Sequence, residues 1–175
     1  LLSALVDNLP SYRYNGEMRI VVCGIGNKER GDDAFGPYVV GCLREQKGLK
    51  KIDGGLYPEN YLNKIVALAP DLVIFLDTIT REEEQAIILM DDEIVRRSPV
   101  SVTTHSLSFG AMCEFMRASG VQHVLFLGVP ALSYEQFSTE TRELADRVIS
   151  VLNNVDKTGD ASIINIHEEL SEQIR

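Results

Sequence analysis

The chain lacks a basic surplus, a paired-cysteine pattern and any long apolar run, and each absence narrows what it can do. Its 17 lysines and arginines are outnumbered by 26 aspartates and glutamates, a formal net charge of −9 over 175 residues. That balance opposes gripping nucleic-acid phosphates or anionic lipid, because no surplus cations are available to displace counterions. Cys23, Cys42 and Cys113 are odd in number and form no Cys-x-x-Cys pair, which argues against a disulfide framework, a structural zinc knuckle or an iron–sulfur cluster. One lies in an apolar strand and two in helical patterns, so all three read as small core hydrophobes rather than catalytic thiols. No apolar stretch reaches the roughly 18 residues needed to cross a bilayer, and Leu1 to Val6 lacks the basic flank of a secretory signal. A cytoplasmic protein is expected. The zinc-protease pattern His-Glu-x-x-His, internal repeats and low-complexity tracts are missing too.

What is present is enough for one well-buried core, with 45% hydrophobic and 25% charged residues. Residues 1–17 read as an accessory lead-in, 18–155 as a single α/β domain, and 156–175 as a polar tail, frayed or oligomer-contacting, with a possible helix over 163–174. Short apolar runs predict buried strands over 19–23, 49–52, 72–76 and 124–129, with 86–90 antiparallel or at an edge. Helical spacing and end signals predict helices over 35–43, 61–68 capped by Asn60, 91–97, 109–116 and 139–152. The alternation signifies an α/β fold: a doubly wound, mostly parallel twisted sheet of about five strands flanked by helices on both faces.

Three candidate metal ligands stand where strands hand over to loops or helices. Asp33 lies in Gly24-Ile-Gly-Asn-Lys-Glu-Arg-Gly-Asp-Asp33, Asp77 closes the apolar run 72–76, and His105 stands among Thr103, Thr104 and Ser106. Two carboxylates and one imidazole can hold a divalent first-row cation and leave positions open for chemistry. Gly24-x-Gly26 invites a dinucleotide reading, but Asp32 and Asp33 stand where phosphates would sit and repel an anion. One of the pair is expected to cap the following helix and the other to face a metal. Asp53, ahead of two glycines, ranks behind these three as a supporting residue, because Asp-Gly-Gly is also an ordinary turn.

Together these residues resemble the hydrogenase maturation endopeptidases, the processing proteases of [NiFe]-hydrogenase large subunits. The resemblance spans about 18–152. It rests on Gly26-Asn27 with Gly31-Asp32-Asp33, Ile52-Asp53-Gly54-Gly55 with Pro58-Glu59-Asn60, the strand-ending Asp77, and Thr103-Thr104-His105. The Asp-Gly-Gly, Pro-Glu-Asn and Thr-Thr-His forms point to the branch serving hydrogenase 3 type enzymes. Ala34 departs from a frequent glycine and Phe109 from a smaller apolar residue. The resemblance implies that Asp33, Asp77 and His105 contact nickel supplied by the large-subunit precursor, that other divalent cations can substitute in the isolated protein, and that a C-terminal extension is then removed. Asp32 beside them would orient water or the metal's surroundings. Two other readings stay open at this point: a nickel-binding chaperone or sensor that cuts nothing, and a nucleotide-binding α/β module.

Overall fold

The computed structural model describes residues 18–79, 85–97, 108–155 and 163–174. The lead-in and His105 lie outside the described residues. Five strands form one sheet in the order β2-β1-β3-β5-β4: β1 (Ile20–Ile25), β2 (Leu49–Gly55), β3 (Leu72–Ile79), β4 (Ile87–Met90) and β5 (His123–Pro130). Strands β2, β1, β3 and β5 are mutually parallel, and β4 closes one edge antiparallel to β5. The six described helices are α1 (Phe35–Cys42), α2 (Leu62–Ala67), α3 (Asp92–Arg97), α4 (Phe109–Ala118), α5 (Thr139–Asn154) and α6 (Ile163–Gln173).

The sheet is buried on both faces, which is why β1, β3 and β5 read as unbroken apolar runs. Alternate residues divide between two clusters. Ile20, Val22, Leu72, Ile74, Leu76, Leu125 and Leu127 pack with Phe35, Val39 and Val40 of α1 and with Leu144 and Val148 of α5. Val21, Cys23, Val73, Phe75, Val124 and Phe126 pack with Ile65 of α2, Ile94 of α3 and Met112 and Met116 of α4. This is the doubly wound arrangement that the alternation of elements demands. Because β2 and β3 flank β1 on opposite sides, the winding reverses between β1 and β3, and crevices open at such a reversal, beyond the carboxyl ends of the strands.

Several local expectations give way to tertiary contacts. Strand β3 runs two residues past Asp77, so this aspartate lies inside a strand and does not terminate it. Strand β2 likewise continues through Asp53 to Gly55. Asn60 caps nothing: Pro58–Tyr61 forms a 3-10 turn, and α2 starts after Tyr61 without a side-chain cap bond. Cys42 is exposed at the end of α1, whereas Cys23 and Cys113 are buried. The tail is not merely a frayed end, since Ile166 and Leu170 of α6 are buried in the first cluster and Arg147 Nε donates to the Gln173 carbonyl at 3.1 Å. Among the described residues, no helix is long and apolar enough to cross a membrane.

Candidate active site

The loop after β1 is built to come back against the sheet. At Gly36, in the first turn of α1, a Cβ would stand 2.5 Å from both the amide nitrogen and the carbonyl oxygen of Ile25, and at Gly24 it would collide with the Gly36 carbonyl. These glycines let the chain's own backbone cross at contact distance, so the Gly24-x-Gly26 spacing is explained with no pyrophosphate present. Gly26 has φ +131, and a Cβ there would run into the Asp33 carbonyl. The route places residues 31–34, a single 3-10 turn of four buried residues, above the ends of β1 and β3.

Neither aspartate of that turn caps α1, whose N-cap is Ala34 and carries no side-chain bond. Asp33 is 1% exposed. Its Oδ2 accepts from the Asn27 N–H at 3.0 Å, and its Oδ1 accepts from the Thr78 hydroxyl at 2.9 Å. Asp77 is 0% exposed, and its Oδ1 accepts from the Thr78 N–H at 2.7 Å. One residue, Thr78, thus donates to both carboxylates. Two buried carboxylates bonded to one threonine at the winding reversal are costly to hold in a water-poor site, and a cation there would offset that cost. Among the described residues no lysine or arginine pairs with Asp33. Hard oxygen donors of this kind suit a divalent cation, so the residues present fit a metal.

Of the three candidate ligands, Asp33 and Asp77 both bond Thr78, and the third, His105, falls among residues 98–107, outside the described residues. Among the described residues, no group of three His, Cys, Asp or Glu is close enough to hold a metal ion. Asp32 is 0% exposed, and its carboxylate faces away into the loop between β5 and α5. It accepts from the N–H groups of Leu132, Ser133 and Ser138 and from the Ser138 hydroxyl, at 2.7 to 3.0 Å. Four donors match the roughly four lone-pair sites of a carboxylate, which leaves none for water or metal. The water-orienting role expected of Asp32 does not fit these bonds.

Asp53 sits at the rim, its side chain 40% exposed, ion-paired with Lys28 and accepting from the Gly55 N–H at 3.2 Å. Cys23 lies beneath the site. Burial, then the charges of Asp53 and Asp77, push its thiol up to about 12, so it stays protonated near neutral pH and is no nucleophile. Thr78 escaped notice in the sequence; the available signal was a hydroxyl residue inside a strand buried along its whole length.

Residues 37–156 match the profile of the HycI family, hydrogenase maturation protease. That segment contains Asp77 and His105 and begins four residues after Asp33. A crystal structure of a [NiFe]-hydrogenase maturation protease HycI from Thermococcus kodakarensis is similar with 30% identity and a TM-score of 0.67, over 83% of this chain and 96% of that one. The hydrogenase maturating endopeptidase HybD from E. coli shares the fold at 20% identity, with a TM-score of 0.66 over 81% of this chain and 94% of that one. A relative from Methanocaldococcus jannaschii, assigned by name to the same kind of protease, is 24% identical over 148 residues, 77% of this chain and 86% of its own length. With most of its length matched by the family profile and the same fold across the similar structures, this chain belongs to the hydrogenase maturation protease family.

Proposed function

We propose that the protein is a nickel-dependent endopeptidase that removes the C-terminal extension of a [NiFe]-hydrogenase large-subunit precursor, of the hydrogenase 3 type, in the cytoplasm. The observation that carries this reading is the pair of buried carboxylates, Asp33 and Asp77, bonded to the same Thr78 at the winding reversal of the sheet. Nickel belongs to the substrate: it arrives in the precursor, and Asp33, Asp77 and His105 are the side chains assigned to contact it. A metal held there supplies Lewis-acid polarisation of the scissile carbonyl or of a bound water. The chain's own part is to hold the two carboxylates ready, Asn27 and Thr78 fixing both oxygens of Asp33, and to keep them out of bulk water. Two carboxylates and one imidazole form a weaker site than a resident zinc centre, which suits an enzyme that must wait for metal delivered by its substrate.

The test is substitution of each assigned ligand. Asp33→Asn, Asp77→Asn and His105→Ala should each abolish shortening of the nickel-loaded precursor, read by intact mass, while circular dichroism shows a folded protein. Full processing by any one of the three would remove that residue from the mechanism.

A further inference from the structure

Three consecutive residues fasten the turn that carries Asp33 to a loop about a hundred positions away. Arg30 sets its guanidinium 4.5 Å from the centroid of the Tyr134 ring. Gly31, at φ +53, comes so close that a Cβ would stand 2.5 Å from the Ser133 carbonyl oxygen. Asp32 donates its own N–H to that carbonyl at 2.8 Å. Its carboxylate then takes up Leu132 N–H at 2.8 Å, Ser133 N–H at 2.9 Å, Ser138 N–H at 2.7 Å and Ser138 Oγ at 3.0 Å. A four-residue 3-10 turn without a side-chain cap is too short to hold its own orientation. Its direction is therefore set by these tertiary bonds. In a 3-10 helix successive side chains diverge by about 120°, so anchoring Asp32 on one side aims Asp33 to another, toward Thr78 and Asn27.

We propose that Asp32 is a positioning residue: by locking residues 31–34 onto the β5–α5 loop, it fixes the direction in which Asp33 presents its carboxylate to metal. The inference rests on the reading of Asp33 as a metal-contacting residue. It gives the Asp-Asp pair a division of labour, one carboxylate saturated by three backbone N–H groups and a serine hydroxyl and its neighbour held open for the reaction. Asparagine cannot replace the first, because its amide nitrogen would turn N–H groups toward donors that need an acceptor.

The experiment titrates the purified full chain with Ni²⁺ alone and measures kcat and KM on nickel-loaded precursor. In Asp32→Asn, Ni²⁺ affinity and kcat/KM should each fall about 10- to 100-fold, the range found when residues that orient metal ligands are lost. Ser138→Ala removes the hydroxyl donor to Asp32, together with the Ser138 cap on the Thr141 N–H and its bond with the Thr141 hydroxyl, and leaves the three backbone donors to Asp32 in place. It should show a smaller loss of Ni²⁺ affinity, and it decides the matter if Asp32→Asn does not fold. An Asp32→Asn protein, or failing that a Ser138→Ala protein, that melts lower yet binds Ni²⁺ and turns over within twofold of the parent overturns the proposal. Asp33→Asn run alongside separates the two failures. If it too keeps affinity and turnover, the metal-site reading has fallen; if it loses both while Asp32→Asn keeps them, only the positioning role has.

Discussion

At the scale of single residues, the site is defined by where its acceptors point. Asp32 and Asp33 are adjacent in sequence and both buried, yet one is consumed by four donors and the other is held by two at the carboxyl edge of the sheet. The sequence made Asp33 and Asp77 legible because a carboxylate in an apolar setting needs a reason to be there. It could not reveal which member of the pair was structural, since the deciding donors, Leu132 to Ser138, are a hundred residues away. The cysteines lend themselves to a direct check. Burial holds the thiols of Cys23 and Cys113 up to about 12 and about 11, while Cys42 is exposed. Mild alkylation with iodoacetamide should therefore add one label, at Cys42, without loss of precursor processing; peptide mapping reads the site, and labelling of Cys23 in the folded protein would contradict its placement.

At the scale of elements, the long apolar strands were the easiest to read and their ends the hardest. Strand β3 was legible from Leu72 to Leu76, but nothing local announces that it continues through Asp77 and Thr78; pairing of Asp77 with Gly128 and Thr78 with Val129 on β5 carries it on. Asn60 illustrates the reverse case, a good capping residue overruled because Pro58 opens a 3-10 turn first. The crossing of α1 over the end of β1 is the element contact on which the site depends most. Gly36→Ala should destabilise the fold by about 1–3 kcal/mol or more, because the new methyl meets backbone atoms that cannot step aside. Gly41→Ala in the same helix has open space around it and should stabilise by roughly 0.5–1 kcal/mol. Urea unfolding of the two variants checks the contrast, and equal effects would show that the tight crossing is not needed.

At the scale of the whole molecule, topology brings chemistry together. Asp33 follows β1 and Asp77 lies in β3, and the reversal of winding between these neighbouring strands places the two side chains at one edge although 44 positions separate them. The alternation of strands and helices was sufficient to anticipate the doubly wound sheet, and the short motifs around Asp33, Asp53, Asp77 and His105 were sufficient to suggest the family. The reach of α6 back onto the core was not legible, because a polar linker precedes it and its apolar stripe of Ile163, Ile166 and Leu170 only acquires meaning against α5. The central claim is that metal carried by the precursor licenses the cut, and the most direct measurement incubates the purified protein with nickel-loaded and nickel-free large-subunit precursor and weighs the products. A shortened large subunit should form from the nickel-loaded precursor alone. Equal shortening of both would contradict recognition of the metal, and no shortening of either would contradict the proposed reaction.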